Sequence, residues 1–108
     1  MMSDAIQVIT TTANREEAET IARSLVEGRL AACVQIVGPI TSVYRWEGRI
    51  ETSPEWQCLI KSRQGLWEPL LAAIRRLHSY QVPEILVLHV TAGNPDYLAW
   101  LAAETQLP

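Results

Sequence analysis

Residues 29–62 constrain the fold most, because they form an almost unbroken run of strand-forming residues with turn signals inside it. Residues 30–37 are apolar and rich in β-branched side chains, and the Val, Tyr and Trp content of residues 40–46 favours a pleated surface. Gly38-Pro39 interrupts the pattern between them and predicts a hairpin. Glu47-Gly48 is a second turn signal.

A further strand follows this second turn. Residues 49–52 begin it, Ser53-Pro54 interrupts it and residues 55–61 continue it. Since a proline has no N–H to donate to a ladder, we expect Pro54 at a bulge or on a sheet edge. The whole segment therefore predicts a block of three strands.

A strand and a helix precede the block. Apolar residues in 5–11 predict a first strand that is buried on both faces or nearly so. Asn14 is a predicted helix N-cap with Glu17 three residues later, and apolar residues follow at the spacing of one helical face. Gly28 is expected to end this helix at the C′ position.

Two helices and a strand follow the block. The apolar spacing predicts a helix from about residue 65 to 78, a strand over 85–90 and a short last helix after Asn94-Pro95. This order predicts an α+β ferredoxin-like sandwich (βαβ-βαβ) with an elongated β-hairpin and an extra C-terminal helix. The long strands would extend beyond a two-helix layer, and self-association would cover their edges.

Length and charge limit the functional classes. We expect one domain over residues 1–108. The net charge of -3 is scattered, so no basic stripe for nucleic acid is present, and no apolar run is long enough for a membrane span. We predict a cytoplasmic protein with no nucleic-acid or membrane partner, in which Cys33 and Cys58 pack as small hydrophobic residues.

Five sequence segments together closely resemble the CutA family of divalent-cation tolerance proteins, and the similarity runs from about Thr10 to Leu101. The segments are EEAETIARSLVEGRLAACV, SVYRWEGRIE, CLIKS, HSYQVPEIL and NPDYLAWL. The resemblance implies a ferredoxin-like fold, a tight homotrimer with strands pairing between subunits, a cytoplasmic location and a link to tolerance of copper and other divalent metals.

This chain departs from the family pattern at several positions. Ser79 replaces the proline of the H-P-Y motif, so we expect a weaker backbone restraint in that loop. Leu77 and Thr10 stand where some members carry a histidine and a cysteine, which removes two candidate metal ligands. Gln35 replaces an asparagine after AACV.

The candidate metal ligands are His78 and Glu84. A copper or zinc site would use a neutral imidazole and carboxylates, but it needs three or four ligands, which a trimer could collect from neighbouring chains. No cofactor is required on this reading beyond an optional divalent metal, copper or zinc. Alternatively, His78 caps the second helix and orders the loop after it.

A second group of residues could line a cleft or interface between subunits. Its members are aromatic or polar and lie at strand ends or loop starts: Cys33, Tyr44, Trp46, Glu51, Lys61, Tyr80 and Tyr97. A concave, aromatic cleft with a few polar groups is typical of small-ligand sites. Aromatic residues also anchor subunit contacts, so Tyr44 and Trp46 could serve the interface alone.

Three functions follow from these residues. The first is metal tolerance through weak metal binding near His78 and the cleft. The second is a PII-like trimeric signalling or scaffold module that binds a small metabolite or a partner protein in the cleft. An enzyme with Cys33 or Lys61 as nucleophile is the third, but the hydrolase and transferase motifs are missing, so we expect no catalysis.

Overall fold

The computed structural model describes residues 3–106. In chain order its elements are β1 (Ala5–Thr12), α1 (Arg15–Glu27), β2 (Cys33–Trp46), β3 (Arg49–Arg63), a 3₁₀ turn (Gln64–Leu66), α2 (Trp67–Leu77), β4 (Ile85–His89) and α3 (Pro95–Glu104). The four strands form one antiparallel sheet in the order β2-β3-β1-β4. This topology confirms the ferredoxin-like sandwich.

The core lies between one face of the sheet and the helices α1 and α2. Alternate strand residues such as Val8 and Ile60 point to this face and are fully buried. They pack in one cluster with Ile21 and Leu25 of α1 and with α2 residues that include Ile74. The 3.6-residue spacing of the helices and the two-residue spacing of the strands therefore meet in a single apolar layer.

The prediction of a hairpin at Gly38-Pro39 is wrong. Strand β2 continues through these residues, and its pairing with β3 shifts from Val37↔Gln57 to Ile40↔Glu55. Two residues thus face the single residue Trp56, which is a β-bulge. A Cβ on Gly38 would lie 2.4 Å from Cδ1 of Trp56, so the indole needs a glycine there.

The strand block therefore contains two long strands instead of three. The turn predicted at Glu47-Gly48 joins them, and both residues have positive φ values of 49° and 78°, as a tight two-residue hairpin requires. Pro54 lies within β3 opposite Thr41. Strand β1 pairs with β3 only as far as Trp56, so Pro54 lies in the two-stranded part of the ribbon, which agrees with the expected edge position.

Helix α1 begins at the predicted N-cap, but Gly28 is its C-cap residue and not the C′ residue that the sequence predicts. The Asn14 side chain accepts a hydrogen bond from the Glu17 N–H at 2.8 Å. Gly28 is the C-cap with φ -80°, and Arg29 takes the left-handed conformation with φ 60°. The Arg29 guanidinium donates to the Ala103 carbonyl near the end of α3, at 2.9 Å, and so satisfies a carbonyl at a helix terminus.

The face of the sheet opposite α1 and α2 is largely uncovered. By the strand register, Leu86 and Leu88 of β4 and Val37 of β2 point to this face, with 56%, 49% and 43% of their surface exposed. Helix α3 packs against β1 and β3. Within residues 3–106, no helix has the length and apolar character needed to cross a membrane.

Two threonines on β1 offer a test of core packing, because both side chains are fully buried but differ in bonding. The Thr12 hydroxyl donates to the Asn14 carbonyl at 2.8 Å, whereas Oγ1 of Thr10 has no hydrogen-bond partner among residues 3–106. A buried hydroxyl without a partner costs free energy that a methyl group does not.

We expect Thr10→Val to raise the free energy of unfolding by about 1 kcal/mol, since it removes an unsatisfied hydroxyl at nearly constant volume. The matched variant Thr12→Val should lower it by about 1 kcal/mol, because it breaks a hydrogen bond. Denaturant unfolding of both variants measures the two shifts. A lower stability of Thr10→Val would contradict this account of the core.

Candidate functional site

A cleft lies between the β2–β3 ribbon and the loop after α2. Its volume is about 610 Å³. It is lined by Thr11 of β1, by Ser42, Val43, Tyr44, Trp46 and Glu55 of the ribbon, and by Tyr80, Gln81, Val82, Pro83 and Glu84 of the loop. Neither a lysine, an arginine nor a histidine is in this set.

Glu55 supplies a fixed carboxylate to the cleft. It lies on β3 opposite Ile40, the first paired residue after the bulge in β2, and only 9% of its surface is exposed. The Tyr80 hydroxyl donates to Oε2 of Glu55 at 2.8 Å. Burial and this hydrogen bond raise the pKa of Tyr80, so the phenol stays protonated and remains a donor at neutral pH.

Glu84 adds a second carboxylate to the same cleft. Burial, and then the negative charge of Glu55, raise the pKa of Glu84 above its ordinary value of 4.5. Neither glutamate forms an ion pair with another of the residues 3–106. The cleft therefore carries negative charge that nothing in this part of the chain neutralises.

Aromatic rings form much of the cleft wall. Tyr44 and Trp46, on the ribbon, are 41% and 44% exposed. The Tyr44 hydroxyl lies 2.9 Å from Oγ of Ser53 on β3, which holds the ring against the ribbon. Tyr80 contributes a third ring, from the loop. The cleft thus combines acidic oxygens with π faces.

The side chain of His78 is fully buried beside the cleft, and both of its ring nitrogens have partners. Nε2 lies 2.8 Å from the Thr11 carbonyl, and Nδ1 accepts the backbone N–H of Tyr80 at 3.1 Å. A neutral ring protonated on Nε2 satisfies both contacts. These bonds tie the loop to β1, and direct coordination of a metal would require one of them to break.

Ser79 restrains the loop in a way that the sequence did not suggest. Its backbone N–H and its hydroxyl both donate to the Glu17 carboxylate of α1, at 2.9 and 2.8 Å. The expectation of a weaker backbone restraint, based on the missing proline, stays a prediction. The serine replaces a fixed φ angle by two hydrogen bonds to a neighbouring helix.

The structure separates the residues predicted from the sequence into two places. Tyr44, Trp46, Tyr80 and Glu84 line the cleft, and Glu51 pairs with Tyr44 on the ribbon outside the lining. Cys33, Lys61 and Tyr97 are not among the residues that line the cleft. Lys61, for example, is six residues from Glu55 along β3, or about 20 Å. Cys33 pairs with Lys61, whose ammonium donates to Gln7. Burial, and then the nearby Cys33 side chain, raises the pKa of Tyr97.

Sequence reasoning missed Glu55 as a site residue. The strand pattern makes it an ordinary strand position, although a carboxylate beside the mainly apolar residues 56–60 is a signal that a charge will be buried. Among residues 3–106, no three His, Cys, Asp or Glu side chains come together in a way that could hold a metal ion. Coordination by His78 stays a prediction.

The two glutamates give a prediction about pH. We expect Glu84 to titrate above 4.5 in the folded protein, and the Glu55→Gln variant to bring its pKa down in part, because burial, the larger cause, remains. Carbon NMR of the Glu84 carboxyl follows both titrations. The Glu51→Gln control should leave the value unchanged, and an equal fall in the control would show that Glu55 is not the responsible charge.

Residues 6–104 match the model of the family described as CutA1 divalent ion tolerance protein. A chloroplastic protein CutA of Arabidopsis thaliana is 44% identical over 94% of this chain, which spans 56% of that longer protein. The divalent-cation tolerance protein CutA of Thermus thermophilus is also 44% identical, over 91% of this chain and 95% of its own length.

Solved structures agree with the sequence comparisons. CutA from Xylella fastidiosa superposes with a TM-score of 0.94 at 38% identity, covering 96% of this chain and all of the other. Cut A1 from Thermus thermophilus gives 0.92 at 42% identity, covering 94% and 99%. The resemblance drawn from the sequence is confirmed, and this chain belongs to the CutA1 family of divalent ion tolerance proteins.

Proposed function

We propose that this protein serves tolerance of divalent cations by holding copper, zinc or similar ions weakly at the acidic cleft of a cytoplasmic homotrimer. The observation that carries the proposal is the pair of carboxylates, Glu55 and Glu84, which share a cleft without a positive partner in residues 3–106. A bound cation would remove the repulsion between the two carboxylates, which is the second cause, after burial, of the raised pKa of Glu84.

Weak binding follows from the small number of ligands. Two carboxylates fill only part of a metal coordination sphere, so water would supply the rest. His78 then acts as a positioning residue, since its bonds to Thr11 and Tyr80 fix the loop that carries Glu84. Coordination of copper by the His78 ring, after loss of one of these bonds, is the alternative arrangement within the same proposal.

Exposed apolar residues and open sheet edges support self-association. Leu86, Leu88 and Val37 leave apolar surface on the face of the sheet opposite α1 and α2, while β2 and β4 are the outer strands of the sheet. Unpaired strand edges and apolar faces are normally covered in stable proteins. The proposed number of subunits, three, comes from the family resemblance. We propose that the trimer acts by binding and not by catalysis.

A second candidate function is a PII-like module that binds a small molecule or partner protein. The size of the cleft favours it, because about 610 Å³ is far more than a single ion needs and lies within the usual range of small-ligand sites. In this case metal binding would be incidental to the role of the cleft.

Calorimetric titration of the chelator-stripped protein with copper and then zinc tests the metal proposal. We expect saturable binding that Glu84→Gln weakens about tenfold, since a charge-assisted contact is lost. Glu51→Gln, a carboxylate on the ribbon outside the cleft, is the matched control and should bind like the parent. Absence of saturable binding would refute metal binding, and loss in His78→Ala with retention in Glu84→Gln would move the site to the imidazole.

The trimer is tested separately by light scattering. We expect the parent protein to have three times the mass of one chain and Leu88→Glu to have a lower mass, because a charge cannot be buried unpaired in an apolar interface. Val26→Glu is the control: Val26 is similarly exposed, at 42%, but lies on α1. A monomeric parent would contradict the proposal.

A further inference from the structure

We propose that the acidic cleft is a binding site for an organic ammonium cation, with Glu55 as the counter-charge and Tyr44, Trp46 and Tyr80 as the surrounding aromatic wall. The inference rests on the proposed cation-binding role of the cleft and extends it to a second class of ligand. It depends on three properties of the cleft: the charge of its carboxylates, the position of its aromatic rings and its volume.

The buried charge of Glu55 is the first step. The residue is nine-tenths buried and lines the cleft, and its only hydrogen bond within residues 3–106 comes from the neutral Tyr80 hydroxyl. The ion pairs in this part of the chain involve other carboxylates. The second carboxylate oxygen of Glu55 has no hydrogen-bond partner within these residues and is not among the buried atoms, so a cation in the cleft can pair with it.

The kind of cation follows from the wall of the cleft. Two carboxylates use only part of what this cleft offers, and they hold a metal ion weakly because residues 3–106 bring no third protein ligand to it. Three aromatic rings line the same cleft as the carboxylates. A tetrahedral ammonium group on a carbon skeleton uses both, through cation–π contact with the rings and Coulomb attraction to the glutamates.

The geometry is arranged before a ligand arrives. The Tyr80 hydroxyl holds Oε2 of Glu55, which leaves Oε1 free to accept an ammonium N–H. The Tyr44 ring is fixed by its contact with Ser53. The volume of about 610 Å³ accommodates a small organic molecule, and fixed polar groups reduce the entropy lost on binding.

The same lining excludes phosphorylated ligands. Two carboxylates without an arginine, lysine or histidine would repel a nucleotide or another phosphate ester at close range. If the cleft serves a small-molecule module, this lining favours an amine over a phosphate as its ligand.

The test uses the intact oligomer and three probes of one size in calorimetric titration: benzylammonium, benzyltrimethylammonium and neutral benzyl alcohol. We expect saturable binding of at least one charged probe and at least tenfold weaker binding of the alcohol. Stronger binding of the primary amine assigns the main role to the carboxylates, and stronger binding of the quaternary amine assigns it to the rings.

Two variants and a control locate the site. Glu55→Gln keeps an acceptor for Tyr80 but removes the charge, and Trp46→Leu removes a ring; each should weaken binding about tenfold. Trp100→Leu removes a similarly exposed ring, at 43%, from α3 outside the cleft, and should bind like the parent. Light scattering and circular dichroism confirm that all three variants keep the parental mass and fold.

The possible results separate this inference from the proposed function. Copper or zinc binding without binding of either ammonium probe overturns the inference alone. Ammonium binding without metal binding overturns the metal proposal alone. Equal binding of benzyl alcohol and benzylammonium, or equal weakening by Trp100→Leu and Trp46→Leu, also overturns the inference, because the charge or the location would then be wrong.

Discussion

The pairing of β2 with β3 is the interaction on which the rest of the structure depends. These strands have 14 and 15 residues, whereas β1 has eight and β4 has five. The ladder therefore continues beyond the point where β1 ends, opposite Trp56. Past that point no third strand pairs with the ribbon, so most of its side chains are exposed, whereas Glu55 is buried beside the loop after α2. Tyr44, Trp46 and Glu55 lie in or next to this extension. The cleft forms there because the β2–β3 ladder is longer than the pairing of β3 with β1.

A second set of contacts closes the cleft from the other side. The loop after α2 has little apolar packing of its own, since Val82 is 68% exposed, and it is held instead by polar contacts. His78 ties it to the Thr11 carbonyl of β1, and Ser79 ties it to Glu17 of α1. Each bond joins the loop to an element that is itself anchored in the core. Tyr80 and Glu84 are consequently presented to Glu55 from a fixed position.

The sequence predicted the elements well because hydrophobic spacing and caps are local properties. Asn14, Glu47-Gly48 and Asn94-Pro95 act where the sequence placed them. Gly38-Pro39 was misjudged because a Gly-Pro pair suits both a turn and a bulge, and only the pairing of β3 with both halves of β2 decides between them. The partners of His78 were equally hidden, since Thr11 is 67 residues away in sequence. Contacts of this range depend on topology, so the cleft could be predicted only in outline.

The chemistry of the cleft bears on the breadth of any cation response. Thr10 and Leu77 stand where soft or imidazole ligands could otherwise be, and the cleft offers carboxylate oxygens and rings instead. Oxygen ligands without a fixed coordination geometry discriminate little among divalent ions, because selectivity comes from ligand softness and imposed geometry. Under the proposed function such a site would respond to divalent cations as a class. The rings provide an apolar surface next to a buried negative charge, and this surface offers a metal ion no ligand atoms. An organic cation can contact both the rings and the charge, which is the physical reason to consider one in the same cleft.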